Sequence, residues 1–409
     1  MNAMARPRRT EEKPRLLEYR RRAQLTQEQV AESIGVTAEM VRRHERGISR
    51  PIARYRERYC QLFQATQEQL GFQASNAARE STFSCQAVAD EDIAEIMTRI
   101  HRLESGTVGT DTLKCLEAAI DDYVTRYEQV GPKALIPSLR VQRQSIESLI
   151  ENCRDPHQRR LLFRFAGQTS GLLAYMAVNR GRFPIARAYC TEAFKLASFA
   201  VDRDLQAWVR GTQSFCEYYA KNYELAVDLA RDGQRYAGSG LQGIRLAVNG
   251  EARALGKLGN TAGVHSAVDR AYDLAASSST PPGVSPCISF GGYSDARTAS
   301  NAATAYVALG LPEHVSKHVE VAMPVFEASE SKWSQSLIRL DLANSIVASP
   351  NGDAEQAGTL VQQALAFAAD NPITSVVQRS NDFTRAARRW HGVKAIEDAQ
   401  DAIAMAQIA

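Results

Sequence analysis

Arginine residues are concentrated near the beginning of the chain, at a spacing that suits contact with a polyanion. Residues 20–22 are consecutive arginines, and Arg42, Arg43 and Arg46 follow within one short segment. Residues 1–71 contain 15 basic and 9 acidic side chains, although the whole chain has a formal net charge of only +3. A planar guanidinium group can donate two hydrogen bonds at once to a guanine edge or to a phosphate. The first part of the chain is therefore predicted to contact nucleic acid, and the mildly acidic remainder is not.

Two short helices are predicted to position these arginines. Thr26 followed by Gln29 is a capping-box pattern, which predicts that the first helix begins there. Gly35 is expected to end this helix, because glycine tolerates the positive φ that closes a helix. Thr37 is the predicted cap of a second helix, which carries the arginines and ends at Gly47. The short connection implies that the second helix crosses the first at a sharp angle.

In this arrangement residues 16–70 resemble the Cro/C1-type helix-turn-helix domain of the XRE family. The resemblance rests on the segments LTQEQVAESIGVT, RRHERG and RP, which occur in that order. It implies a lambda-repressor-like DNA-binding domain, with the bounds 1–75, in which Arg20 and Glu45 form a structural pair. Such a domain is expected to bind double-stranded DNA as a homodimer, because paired half-sites on a palindromic operator mirror a two-fold axis.

The resemblance implies DNA contacts at seven positions, namely Gln27, Thr37, Ala38, Glu39, Arg42, Arg43 and Arg46. Arg43 is expected to read guanine, whereas Arg42, Arg46 and Gln27 are expected to bind phosphates. Ala38 cannot hydrogen-bond a base, although its methyl group could contact a thymine methyl group. Glu39 would accept a hydrogen bond from cytosine or repel a phosphate. Met40 and His44 are unusual at their positions, so their orientation stays open. The alternative is a helix-turn-helix that now serves as a protein-interaction module.

Beyond residue 110 the chain is predicted to be almost entirely helical, with turns at recurring intervals. Five turns align at Gly181, Lys221, Gly259, Gly310 and Gly352. Small or β-branched residues fill three columns around these turns: Ala174, Ser214, Ala252, Ala303 and Ser345; then Ala186, Ala226, Val264, Val315 and Ala357; and then Ala193, Gly233, Ala271, Ala322 and Ala364. Small side chains at such positions allow antiparallel helices to approach closely.

These columns resemble those of the tetratricopeptide repeat, a helical hairpin of about 34 residues, although the spacings here are longer. The predicted fold class is all-α, with a lambda-repressor-like helix-turn-helix domain followed by an α-solenoid of tetratricopeptide-like hairpins. Residues 76–110 are expected to form a linker with one connecting helix. Residues 111–409 are expected to form the repeat domain and to supply dimerisation. The whole chain looks like a family of actinobacterial regulators with this domain order.

Stacked hairpins form a superhelix whose concave groove is lined by the first helix of each pair. Projecting the repeat frame places ten residues on this groove: Tyr175, Asn179, Trp208, Phe215, Tyr219, Asn249, Arg253, Arg297, Asn301 and Arg339. Amides can hold a peptide backbone and guanidinium groups can hold a carboxylate, so a peptide or an amphipathic small molecule is the expected effector. The alternative is that the aromatic rings pack between repeats and the polar groups are solvated.

Catalysis, cofactors and metal sites are not indicated by the sequence. Residues 250–259 have a glycine spacing that approaches a P-loop, but no Ser or Thr follows the lysine. His314 and His318 have the i, i+4 spacing of metal ligands but lack a third ligand, which favours an ordinary surface helix. No apolar run approaches the roughly 18 residues of a membrane span, and no secretory signal is recognised, so a cytoplasmic location is expected.

Together these features predict a transcription regulator that binds DNA as a homodimer and is controlled by a ligand in the repeat groove. Two alternatives stay open at this point. In the first, the repeats are a docking scaffold and a partner protein regulates DNA binding. In the second, the repeats only dimerise a protein that binds DNA constitutively.

Overall fold

The computed structural model describes residues 15–49, 51–72, 93, 95–97, 108–238 and 240–408. The regular secondary structure in these ranges is helical, without a β-strand, which confirms the predicted all-α class. The chain divides into two compact units, Met1–Ala87 and Val88–Ala409. The predicted linker at 76–110 lies almost wholly outside the described residues. Among the described helices, none is long and apolar enough to cross a membrane.

The described residues of the amino-terminal unit form four helices: α1 (Leu16–Arg22), α2 (Gln27–Ile34), α3 (Ala38–Glu45) and α4 (Ala53–Phe63). The capping box at the start of α2 is complete, because Thr26 and Gln29 each accept a hydrogen bond from the other's backbone N–H group. Gly35 ends α2 in the left-handed conformation, with φ of 72°. The hydroxyl of Thr37 caps α3. Local hydrogen bonds therefore account for the boundaries of the two central helices.

One small core holds these four helices together. Its fully buried members include Leu16, Val30, Ile34, Val41 and Tyr59. In α2 the buried residues recur at helical spacing, so one face of the helix meets the core and the opposite face meets solvent. The same division in α3 buries Val41 and leaves most of its basic side chains at the surface.

In the larger unit, the first helix whose bounds are described is α5 (Thr110–Asn152), and its helical backbone is interrupted at Gly131. Five hairpins follow: α6 (Pro156–Asn179) with α7 (Phe183–Phe199), α8 (Arg203–Tyr219) with α9 (Tyr223–Ala237), a composite helix with α12 (Thr261–Ala276), α13 (Asp295–Leu309) with α14 (Pro312–Glu327), and α15 (Lys332–Ala348) with α16 (Ala354–Ala368). The composite helix consists of α10 (Gly243–Arg245), a π-helical segment (Leu246–Ala252) and α11 (Arg253–Lys257). The described chain ends with α17 (Thr374–Ala386), a 3-10 segment (Ala387–Trp390) and α18 (Lys394–Ile408).

The small residues predicted to lie between helices are buried in all three columns. Gly256 on α11 shows how close the helices come, because a Cβ atom there would lie 2.6 Å from the carbonyl oxygen of Ala305. Four of the five aligned turns contain a residue with positive φ, at Gly181, Lys221, Gly259 and Gly310. The repeat columns therefore predicted the helix-to-helix interfaces of the larger unit.

The turn between α7 and α8 contains a residue in an unfavourable backbone conformation. Val201 has a φ of 53°, which is costly for a β-branched residue, and its side chain is 66% exposed. Val201→Gly is expected to raise the free energy of unfolding by about 1 kcal/mol in urea denaturation. Ala200→Gly is the control, because Ala200 has right-handed φ, and it should cost about 0.5–1 kcal/mol. A less stable Val201→Gly protein would show that this turn is unstrained.

His318, for which the sequence favoured a surface helix, is buried between helices. It is 7% exposed, its Nδ1 lies 3.0 Å from the hydroxyl of Tyr272, and the Tyr306 ring stacks against it. Burial, reinforced by the charges of Lys317 and His314, lowers the pKa of His318 to about 4. The ring is therefore neutral in the folded protein at neutral pH.

This histidine is expected to make the larger unit less stable in mild acid. The unfolded chain binds a proton at a histidine pKa near 6.5, whereas the folded chain does not until about pH 4. Stability is thus lost as the pH falls below 6.5, by about 2 kcal/mol between pH 7 and pH 5. Urea denaturation at both pH values would measure this loss, and His318→Gln should remove it. An unchanged pH dependence in His318→Gln would assign the loss to other groups.

Candidate functional site

The residues predicted to contact DNA lie on and beside the outer face of α3. Arg43 and Arg46 are exposed, and within the described part of the chain neither forms an ion pair. Glu39 and Arg42 pair with each other along the helix, and both side chains are substantially exposed. Arg43 and Arg46 can therefore contact a phosphate or a base without breaking an interaction, whereas Arg42 and Glu39 must first separate.

A hydrogen-bonded network around Glu45 fixes the position of α3. Arg20 on α1 donates to both carboxylate oxygens, and the Glu45 side chain is only 4% exposed. Gln27 donates from Nε2 to the same carboxylate over 2.7 Å. Thr37 caps α3 through its hydroxyl, and Ala38 is half-buried against the core. The Arg20–Glu45 pair is thus present in the structure, and the amide donor of Gln27 is used within the protein.

The structure also orients the two residues of α3 that the sequence left open. His44 points into the core, where it is 3% exposed and its Nδ1 lies 3.2 Å from the Tyr59 hydroxyl. Burial, together with the charge of Arg43, lowers the pKa of His44 below its ordinary value. Met40, by contrast, is on the outer face. His44 therefore belongs to the core, and Met40 adds an apolar group to the surface that carries Arg43.

The larger unit encloses an inner cavity of about 60 Å³. Eight of the ten predicted groove residues line it: Tyr175, Asn179, Phe215, Tyr219, Asn249, Arg253, Arg297 and Asn301. They come from α6, α8, the composite helix and α13, which are the first helices of four successive hairpins. The structure thus brings most of the predicted set to one place.

Trp208 and Arg339 lie outside this cavity. The Trp208 ring packs against Phe290, with 4.6 Å between ring centroids, and its Nε1 donates to the carbonyl oxygen of Ser289 over 2.8 Å. Arg339 on α15 donates to Glu327, the last residue of α14 in the preceding hairpin. Both side chains join the first helices to neighbouring segments of the chain.

Several residues that line the cavity come from segments outside the repeat columns. Glu128 belongs to α5, Cys287 and Tyr293 belong to the connection between α12 and α13, and Arg379 belongs to α17. Glu128 accepts hydrogen bonds from the backbone N–H of Cys287, over 3.0 Å, and from Arg297, over 2.5 Å. These residues had no signal in the repeat alignment, because only the hairpins contribute to it.

Helix α17 lies across the groove and contacts the first helix of all five hairpins. Its hydrogen bonds and ion pairs join Thr374 to the Val178 carbonyl, Gln378 to the Tyr219 carbonyl, Asp382 to Lys257, and Arg379 to Thr304 and Asp341. The open groove expected from the repeats is therefore filled by the chain itself. The space that remains suits a few water molecules rather than an extended peptide.

Tyr219 is held between two guanidinium groups at the edge of the cavity. Arg253 donates to its hydroxyl over 2.8 Å, and Nη1 of Arg379 lies 3.4 Å away. Burial alone would raise the pKa of Tyr219, but the charges of Arg253 and Arg379 outweigh burial and lower this pKa below its ordinary value. The Tyr219 hydroxyl oxygen therefore accepts hydrogen bonds from both cations.

Two buried polar atoms of residues that line the cavity find no hydrogen-bond partner among the described residues, namely Nε of Arg253 and Oδ1 of Asn179. The other groups of these side chains are engaged, because Arg253 also bonds Asn249 and Asn179 donates to the Tyr127 hydroxyl. Buried polar atoms are seldom left unsatisfied in folded proteins. Arg253 and Asn179 thus each have one polar atom that the described residues leave unpaired.

No protein-family model matches this chain, and no curated protein matches it in sequence. Among solved structures, the chain is similar to the apo form of the competence regulator ComR from Streptococcus vestibularis, with 11% sequence identity. The match covers 91% of this chain and 96% of that chain, with a TM-score of 0.32. A likeness of this size carries no conclusion about activity, and the helices described above are what establish the all-α fold.

Proposed function

We propose that the protein is a cytoplasmic transcription regulator of the XRE type, which binds double-stranded DNA through α3. The observation that carries the proposal is that Arg43 and Arg46 are exposed, and form no ion pair with any described residue, on a helix that Glu45 anchors to its neighbours. A helix of this kind enters the major groove, where arginine can bind the two acceptors of guanine. An anchored helix loses little further freedom on binding, which favours sequence recognition.

The proposed DNA-bound form is a homodimer. One amino-terminal unit offers few side chains to base edges, so a single copy would discriminate poorly between sequences. Two copies on half-sites about 34 Å apart double the contacts and require a palindromic operator. The proposed DNA contacts need only the amino-terminal unit. The larger unit would supply the dimer interface.

The larger unit is proposed to bind a small ligand that regulates the DNA-binding unit. This role is supported by the polar side chains that converge on the inner cavity from the first helices of four hairpins, Asn179 and Arg253 among them. Because α17 contacts every hairpin, a ligand that prefers one position of α17 would alter the whole unit. Only such a difference in affinity can shift the equilibrium between two states.

Selection of bound duplexes from a random-sequence DNA pool tests the DNA-binding part of the proposal. The full-length protein is expected to enrich a palindrome with two half-sites, and sedimentation should show two chains on each selected duplex. Retention of DNA without enrichment of any motif, or a single chain on each duplex, would refute sequence-specific binding by a homodimer. The ligand is tested separately, by direct binding without DNA.

A further inference from the structure

A second cavity, of about 490 Å³, lies between α17, α11 and the turn that joins α8 to α9. We call it the basic cleft, because five cationic side chains and one carboxylate line it: Lys221, Arg253, Lys257, Arg379, Arg385 and Asp382. Its volume is within the range of about 300–1,000 Å³ that small-molecule sites occupy. Neither the repeat pattern nor the DNA-binding role accounts for such an excess of positive charge.

Three of the five cations already have carboxylate partners within the protein. Lys257 and Arg385 share Asp382, and Arg379 bonds Asp341 over 2.6 Å. In the described part of the chain, Arg253 and Lys221 have no carboxylate partner. Five cations thus face only two carboxylates, Asp382 and Asp341, and Arg253 and Lys221 are the two cations for which the described residues supply no carboxylate.

Of these two cations, Arg253 gives the stronger evidence for an anionic ligand, because it is only 3% exposed. Its guanidinium group has neutral partners only, among them the Tyr219 hydroxyl and Asn249 Oδ1, and it lies 4.3 Å from the Tyr218 ring centroid. Its Nε has no hydrogen-bond partner in the part of the chain that the structure describes. A buried charge without an opposite charge carries a large desolvation cost, which an entering anion would offset.

Aromatic surface lies beside these cations. Tyr218 and Tyr223 both line the basic cleft, with 5.7 Å between their ring centroids. Tyr223 is half-buried and so presents part of its ring to the cavity. Flat rings next to cationic groups suit a ligand that carries a planar ring and an anion, because the ring can stack while the anion is paired.

We propose that the basic cleft binds a phosphate monoester carried on a planar ring, as in a nucleoside monophosphate. A phosphate monoester has a charge of about −1.5 to −2 at neutral pH, which matches the two unpaired cations, whereas a carboxylate would satisfy only one. The inference deepens the proposed function by naming the class of effector, and so rests on the sensing role of the larger unit. Since α17 supplies Arg379, Asp382 and Arg385 to the cleft, an occupant would act on the helix that crosses every hairpin.

Isothermal titration calorimetry on the full-length protein, without DNA and at low ionic strength, tests the site. The titrants are the four ribonucleoside monophosphates and phenyl phosphate, compared with inorganic phosphate and adenosine. At least one ring-bearing monoester should bind about tenfold more tightly than either fragment, as expected when charge-assisted bonds and stacking act together. Absence of binding for the whole panel, or equal affinity for inorganic phosphate, would overturn the proposal.

Lys221→Gly is the decisive variant. Lys221 has a φ of 67°, which glycine adopts without strain, so the substitution removes the charge and preserves the turn. It should weaken the monoester about tenfold, and Arg253→Gln should weaken it further. Lys195→Ala removes the same charge from an exposed position of α7 and should leave binding unchanged. If Lys221→Gly and Lys195→Ala bound the monoester equally tightly, the ligand would lie elsewhere. That result would leave the proposal of DNA binding untouched.

Discussion

Replacing Glu128 with alanine is expected to lower the free energy of unfolding of the larger unit by about 3–5 kcal/mol, the usual cost of removing one partner of a buried ion pair. The Glu128 side chain is 12% exposed, and its carboxylate accepts from Cys287, Arg297 and Ser331. These partners belong to three segments distant from α5 along the chain. Alanine would leave Arg297 charged, buried and unpaired. Urea denaturation followed by circular dichroism measures the loss.

Glu117→Ala is the matched control, because Glu117 is an exposed carboxylate on the same helix, and its loss should cost less than about 0.5 kcal/mol. Burial raises the pKa of Glu128, but Arg297 and the hydrogen bonds outweigh burial and lower it. The stabilisation is therefore complete above the unfolded pKa of roughly 4.3 and is lost as the pH falls through the lower folded pKa. If Glu128→Ala lowered the free energy of unfolding by less than about 1 kcal/mol at pH 7, Glu128 would not be an important link between these three segments.

Arg43→Ala is expected to weaken binding to the selected operator by about 1–3 kcal/mol, or about 5–150-fold, and to relax the preference at one base pair of each half-site. Arg43 is exposed on α3 and is not paired within the described residues, so the variant should fold normally. The loss on a scrambled duplex should be much smaller, because a base contact contributes little to nonspecific binding. Fluorescence anisotropy with both duplexes measures the difference.

Two further arginines make this test specific. Arg154→Ala removes the same charge from an exposed position in the larger unit and should affect neither duplex strongly. Arg46→Ala is expected to weaken both duplexes alike and to reduce the slope of log K against log salt by about 1, as a phosphate contact does. An equal loss on the operator and the scrambled duplex for Arg43→Ala would make Arg43 a phosphate contact too.

The parts of the fold that could be predicted are those specified by neighbours in sequence. Thr26, Gln29 and Gly35 determine the ends of α2 through bonds within a few residues, so the amino-terminal helices could be recognised from their caps. The buried small residues of the hairpins recur with the repeat, so columns such as Ala186 and Ala226 could be read before any contact was known.

The occupant of the groove could not be predicted in this way. The bond from Thr374 to the Val178 carbonyl joins residues 196 positions apart, and Glu128 reaches Ser331 across 203 positions. Neither partner belongs to a repeated column, and the amphipathic pattern of α17 is that of any surface helix. The repeat frame assigned Tyr219 and Arg253 to the groove, and both line the inner cavity, but it did not show what faces them.

The position of α17 also limits how this protein can evolve. An open solenoid grows or shrinks by duplication or loss of a hairpin, because each repeat contacts only its neighbours. Here one helix of 13 residues bonds to the first helix of every hairpin, from Val178 to Asp341. Loss of any one of the first three hairpins would remove a partner of Thr374, Gln378 or Asp382. A change in the number of hairpins would therefore have to be accompanied by a change in α17.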